Sequence, residues 1–296
     1  MRITDRMRYE NPRMRILRLS RRKATTTEQL STGKRINRPS DDPLSAMKAS
    51  LYQSQGRRVE QHRSNIDAAR NLLVTSDAVL GEAGSTMYRI KELTIQSLSA
   101  VMNPSDRTFV GNEVGQLREH LRSIGNTRMG QRYIFAGYRS DQPAYDVNGV
   151  FQGDANATSV EVGDGFNVQS TLPGGQPFGD GTPGTVDAFR ILTDLENAII
   201  AADENATQTA FEELETAIEQ IITSRQDVGL QMTKLSSAES INSFLNEHIP
   251  GILSAELDTD FAEAVSELTM VEHSLKATLA ASSRMLNSTS LLDFLR

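Results

Sequence analysis

The sequence predicts a mainly α protein: a long antiparallel helical coiled-coil bundle built from both chain ends, with a small β-rich insert domain at its tip. Three observations carry that expectation. Apolar residues recur every seventh position from Val59 to Met87, and a similar repeat returns from Phe261 to Leu292. Between them, residues 131–185 lack that periodicity and hold ten of the twenty Gly. Sustained seven-residue spacing puts a seam down one side of a helix, and a seam needs a partner helix. Two seams near opposite ends of 296 residues become neighbours if the chain folds back on itself.

Residues 1–42 read as an N-terminal assembly arm. Their apolar positions are sparse (Ile3, Met7, Met14, Ile16, Leu17, Leu19, Ala24, Leu30), giving a weak helical stripe. Pro12 is expected to limit regular helix before it, since the residue preceding a proline is pushed towards extended geometry. Such a segment buries little alone, so it is expected to be disordered in a monomer and helical in an assembly. Residues 31–43 form a loop in which Gly33 suits a helix C-terminus. Asp42 and Pro43 suit an N-cap and first helical position.

The N-terminal half of the bundle spans 43–130. A long helix fits 43–101, with one series at Val59, Ile66, Leu73, Leu80, Met87 and Thr94. Its companion is Ala69, Ser76, Ala83, Ile90 and Ser97, small enough in part for close helix approach. Asn103-Pro104 breaks this helix, Ser105 is a candidate cap, and a second helix over 106–130 aligns Val110, Val114, Leu117, Leu121 and Ile124. The β-rich insert, 131–185, offers short strands at 133–135, 149–151, 159–162 and 166–168, joined by tight turns. The C-terminal half, 186–257, carries helices over 186–202 and 206–247, with Pro250-Gly251 as an interruption. Asp258 or Asp260 can cap the last segment, 258–296, a C-terminal assembly helix. Its seams run Phe261, Leu268, Leu275, Ser282, Thr289 and Ala264, Val271, Thr278, Met285, Leu292.

Composition narrows the function. There is no Cys, so thiol and disulfide chemistry are excluded. Aromatic residues make up 5% and Trp is absent, which argues against a dense globular core and for helices sealed by aliphatic side chains. The four His (His62, His120, His248, His273) stand singly, without metal-ligand spacing, and read as surface or seam residues. No run of about 18 apolar residues exists, so a spanning helix is not expected. The N-terminus lacks the apolar centre of a cleavable secretory signal. Residues 1–38 carry twelve Lys or Arg against three acidic residues, +9, so the remaining chain is −16 within a total of −7. This basic arm has neither aromatic interleaving beyond Tyr9 nor a DNA-binding motif. It reads as an arm that pairs with acidic surface rather than nucleic acid.

Catalytic motifs fail one by one. Gly33-Lys34 lacks the upstream Gly and following Ser or Thr of a phosphate-binding loop. Ser20 and Lys23 have nucleophile-pair spacing but no companion motif. Asp154-x-Asn156-x-Thr158 opens like a calcium loop, yet Ser159 and Gly165 replace its required Gly and Glu. Asp41-Asp42 reads as helix capping. No catalysis, cofactor or metal is expected.

The residues also resemble a known family. The run from Leu30 to Pro43 (LSTGKRINRPSDDP) closely resembles the block after the first helix in bacterial flagellins and their relatives. Asp260–Leu268 (DFAEAVSEL) resembles the start of their last helix, and Leu291–Arg296 (LLDFLR) their terminus. The opening MRIT and the block Gln131–Tyr138 (QRYIFAGY) are similar to the hook–filament junction branch of that family. So is Pro43-Leu44-Ser45, where flagellins usually have an Ala-rich run. The resemblance implies a non-enzymatic, self-assembling component of the extracellular flagellum, exported through the flagellar secretion channel without a cleaved signal. It implies a homo-oligomer whose partners are the hook-side junction protein, flagellin, and an export chaperone engaging the C-terminal helix. The alternatives are a minor flagellin of the filament shaft and a cytoplasmic coiled-coil scaffold with a basic arm. On this expectation the seam at 59–94 lies inside one subunit. Met7, Met14, Leu17, Leu30, Phe261, Ala264, Leu268, Val271, Leu275, Met285 and Leu292 are the candidate assembly residues.

Overall fold

The structure, a computed structural model, describes residues 5–99, 102–180 and 184–287, with side chains for these except 5–9, 11 and 285–287. In chain order the elements are α1 (Asp5–Thr32), α2 (Pro43–Ser99), α3 (Pro104–Gly125), β1 (Arg128–Met129), β2 (Arg132–Tyr133), β3 (Ser159–Gly163), β4 (Phe166–Gln169), α4 (Ala188–Ala201), α5 (Glu204–Leu257) and α6 (Phe261–Asn287). The strands form two separate antiparallel pairs, β1 with β2 and β3 with β4. The fold is mainly α with a small β insert, as the periodicity predicts. The chain divides into two compact units: Met1–Arg57 with Leu245–Arg296, and Arg58–Phe244.

In the larger unit every member of the 59–94 series is buried, from Val59 at 4% exposed to Thr94 at 0%. The companion positions Ala69, Ser76, Ala83 and Ile90 are buried as well. Their partner is α5, which carries its own unbroken heptad of buried residues: Thr207, Leu214, Ile221, Val228, Leu235, Asn242. Ala210, Ala217, Ser224, Gln231 and Ala238 form the second line of that seam. Polar ties fix the register. Asn242 Nδ2 donates to the Val59 carbonyl at 3.0 Å, Arg70 grips the Glu239 carboxylate with two nitrogens, and Arg225 bonds Asp77 at 2.7 Å. Lys91 bonds Glu215 at 2.6 Å. As the α2 number rises the α5 number falls, so the helices run antiparallel.

Helices α3 and α4 pack closely because α3 presents glycine where α4 approaches. A methyl at Gly111 would sit 2.5 Å from the Ile200 side chain, and one at Gly115 would sit 2.8 Å from Glu196. Asn103, not Ser105, caps α3: its side chain accepts from the Asp106 N–H while Pro104 takes the first helical position. Proline favours that position because its missing N–H has no helical partner there, and the residue before it is held extended, as a cap must be. The helix ends at Gly125, short of the expected 130. Asn126 and Thr127 turn the chain back onto the last carbonyls of α3, and Asn126 exchanges two bonds with the Tyr145 backbone.

The insert is less regular than expected. Residues 159–163 and 166–169 form the hairpin that the alternation predicts. The run 149–151 contributes only a bridge between Tyr145 and Phe151, and of the strand expected at 133–135 only Tyr133 is paired, at the end of β2. Low aromatic content does not mean the absence of an aromatic core. Phe135, Tyr145, Phe151, Phe178 and Phe189 converge, with Tyr145 and Phe189 ring centroids 4.8 Å apart and Phe135 edge-on to Phe178 at 5.7 Å. Aromatics are few but gathered where short strands supply little other burial. Burial pushes the Tyr145 hydroxyl pKa well up, helped by nearby Asp187 and Asp180.

Two prolines do not act as expected. Helix α1 continues through Pro12, and α5 continues through Pro250 to Leu257. A helical proline forfeits one backbone bond and strains the preceding turn, at a cost of about 3 kcal/mol. Around Pro250 that cost is offset by burial on both sides. Ile249 is 6% exposed, and Leu257, with Leu253 beside it, packs on Ile36 and Ala49.

Candidate assembly surface

The smaller unit joins the two segments singled out by sequence. The block at 30–43 wraps the connection between α5 and α6. Gly33, at φ +70°, turns the chain out of α1 in the left-handed region that glycine adopts without a side-chain penalty. The Arg35 N–H donates to the Leu257 carbonyl at 2.7 Å, and the Thr259 N–H donates to the Gly33 carbonyl at 3.0 Å. The Arg35 guanidinium reaches the Glu256 carbonyl at 2.9 Å and Asp42 at 3.4 Å. Ile36, Ala49 and Leu257 form a small core beneath these bonds. Asp41 accepts from the N–H groups of Asn37 and Arg38, and Asp42 caps α2 through the Ser45 N–H. The paired Asp residues are thus a loop clamp and a helix cap. The bond from the Ser45 backbone holds the Asp42 pKa below its ordinary value. Lys48 donates to Glu256 at 2.9 Å, which lowers the Glu256 pKa and raises that of Lys48. Asp260, rather than Asp258, caps α6 by accepting from the Ala262 and Glu263 N–H groups.

Helices α1 and α6 pack on each other. Their charges answer the asymmetry of the sequence: basic α1 pairs with acidic α6 through Arg22–Glu267 and Lys23–Glu272 at 2.7 Å. Their apolar faces are only partly used. Among the described side chains of α1, only Thr26 is buried, and in α6 only Ala264 and Val271. Of the candidate assembly residues, Ala264 and Val271 therefore lie inside the pair, while Leu30, Leu268 and Leu275 are half-buried. Met14, Leu17 and Phe261 are exposed, at 61%, 45% and 58%. Met7 lies in α1 and Met285 in α6, but their side chains, like all of Leu292, fall outside the described residues. The heptad on α6 does not name Val265, Met270 and Leu279, which are also exposed. The signal was an apolar content larger than one seam requires.

The insert block 131–138 owes its residue types to packing. Ile134, Phe135 and Ala136 are buried. Gly137 has φ +68°, and a methyl there would sit 2.2 Å from the Asp154 carbonyl oxygen. The Asp154 carboxylate accepts from the N–H groups of Tyr138, Arg139 and Asn156. The residue that resembles a calcium-loop ligand is therefore a loop staple.

Residues 3–140 match the family model described as the bacterial flagellin N-terminal helical region. Over that stretch the chain resembles the bacterial flagellins. It is 24% identical to flagellar hook-associated protein 3 of Salmonella typhimurium over 94% of both chains, and 24% identical to the protein of that name from Escherichia coli over 86% of this chain and 87% of that one. It is 26% identical to Bacillus subtilis flagellin over 82% of each. The fold is similar to that of the flagellar junction protein FlgL from Legionella pneumophila (TM-score 0.59, 16% identity, 73% of this chain and 100% of that one). It also resembles FlgL of Xanthomonas campestris (TM-score 0.62, 19% identity, 69% and 99%). These relatives are structural flagellar proteins, in line with the expectation that the chain is not an enzyme. No helix among the described residues is long and apolar enough to cross a membrane.

Proposed function

We propose that this chain is the subunit joining hook to filament in the bacterial flagellum, and that it self-assembles through α1 and α6. One observation carries the reading. Two helices of 28 and 27 residues together bury only three of their described side chains, while Met14, Leu17, Phe261, Val265, Met270 and Leu279 stand exposed. Fixing each backbone residue costs about 1–2 kcal/mol, which so little burial does not offset. In the free subunit α1 and α6 then remain largely unordered. They become ordered when neighbouring copies cover these faces, giving a homo-oligomer. Similarity along nearly the whole chain to hook-associated protein 3, together with the block at 131–138, favours the junction over a shaft flagellin.

On this reading the partners are the hook-side junction protein, flagellin, and an export chaperone that covers the apolar face of α6 before assembly. Export uses the flagellar channel. Deleting the chain's gene should leave hooks without attached filaments and release flagellin into the medium, and immunogold labelling should mark one band beside the hook. Labelling along the whole shaft would instead favour a minor flagellin.

A further inference from the structure

We propose that His62, Glu161 and Asp164 form a site for a first-row divalent transition ion that pins the β3–β4 hairpin to α2. His62 occupies the seam position one heptad before Ala69 and is 9% exposed. Both of its ring nitrogens are shut off from solvent without a hydrogen-bond partner. A buried imidazole with two orphaned nitrogens is costly, because each has lost water and gained nothing. Its Nε2 lies 3.5 Å from Asp164 Oδ1, a charge contact only when the ring is protonated and longer than an ordinary hydrogen bond.

The hairpin turn supplies the other donors. One ligand atom each from His62, Glu161 and Asp164 lie within 4.8 Å of one another. The turn itself is fixed: the Gly165 N–H donates to Glu161 Oε1 at 3.2 Å, and Asn65 Nδ2 holds the Glu161 carbonyl at 2.7 Å, so the hairpin already rests on α2. Drawing three donors onto one ion at about 2.0–2.2 Å needs only a small inward shift of exposed carboxylates. Asp164 is 69% exposed at its side chain, so solvent leaves room for that shift.

The donor set selects the class of ion. One imidazole nitrogen and two carboxylate oxygens suit Zn²⁺ and its neighbours, whereas Mg²⁺ and Ca²⁺ prefer oxygen alone. Two carboxylates balance the ion's charge, a neutral imidazole adds none, and water completes the shell. Arg58, whose Nε lies 3.3 Å from Asp164 Oδ1, competes for that oxygen and shifts aside on binding. Chain spacing hides the set, because His62 lies 99 residues from Glu161 and 102 from Asp164 and meets them only through the fold of α2 against the insert.

The test uses the full chain and zinc chloride. Calorimetry on metal-free protein should find one equivalent of Zn²⁺ bound, with slowed hydrogen exchange across 159–169. Asp164→Asn, at an exposed position that cannot compromise the core, should weaken binding by at least about tenfold, the scale of loss seen when metal-site groups are removed. His62→Gln should do the same, while His120→Gln, which alters the separate exposed His120–Glu82 pair, should leave binding unchanged. Absence of stoichiometric binding, or binding that survives both Asp164→Asn and His62→Gln, overturns the proposal.

Discussion

Replacing Leu80 by Ala and Phe261 by Ala separates the subunit core from the assembly face. Leu80 is 0% exposed at the centre of the α2 seam. The change deletes burial of three carbon groups, about 2.4 kcal/mol at about 0.8 kcal/mol each. Neighbouring Ala83 is too small to fill the void, so a cavity term brings the loss to about 3–4 kcal/mol. Phe261 is 58% exposed. Scaling a fully buried Phe, worth about 3 kcal/mol, by the covered fraction leaves about 1 kcal/mol in the monomer. Urea unfolding followed by far-UV circular dichroism reads both. At a slope of about 2–3 kcal/mol per molar urea, Leu80→Ala lowers the midpoint by more than about 1 M, and Phe261→Ala by less than half of that. If the two units melt separately, Leu80→Ala moves only the transition of the unit that holds it. Sedimentation of assembled protein then gives the opposite ranking: Phe261→Ala assembles poorly although its monomer is sound. Equal monomer costs, or normal assembly of Phe261→Ala, would refute the division between core and assembly face.

Other outcomes follow from the same geometry. Gly137→Ala combines a left-handed backbone with a clash against the Asp154 carbonyl and should cost about 2–4 kcal/mol in thermal melts. Gly130→Ala, at φ +62° but with open space, should cost only about 1–2 kcal/mol. Ala202 caps α4 at φ 58°, so Ala202→Gly should raise the melting temperature, gaining about 1 kcal/mol. The folded-state pKa of Asp42 is depressed, so its contribution is full above the ordinary carboxylate range of about 4 and fades as pH falls through the lowered value. Exchange of the first amides of α2 should accelerate on acidification, and Asp42→Asn should flatten that dependence. A double-mutant cycle on Arg70 and Glu239, a bidentate but half-exposed pair, should give a coupling of about 0.5–1 kcal/mol that shrinks with salt.

The α2 seam was legible because its first series, Val59 to Met87, is apolar at every member, and burial followed that spacing. The α5 seam obeys the same rule and could have been found. Thr207, Ser224, Gln231 and Asn242 interrupt its apolar character, and Pro250-Gly251 suggested an end where burial of Ile249 and Leu257 carries the helix on. Local chemistry read well at Gly33, Asp42 and Asp260, where a turn or cap depends on one residue and its neighbours. It read poorly in the insert, where Gly125, Tyr145, Phe178 and Phe189 meet from separate segments. The candidate surface was half visible. Heptad positions found Phe261, but whether Ala264 faces in and Val265 out depends on where α1 lies, which no spacing within α6 encodes.

The four polar ties between α2 and α5 also govern how the subunit bears load. They span Val59 to Lys91, about 48 Å of helix at about 1.5 Å per residue. A force that slides one helix lengthwise past the other must break all four together and lift every seam residue from its hole at once. A force that peels the helices apart meets the ties singly. The larger unit is therefore stiff to axial shear and weak to peeling, so its resistance to tension and torque depends on the direction of the load.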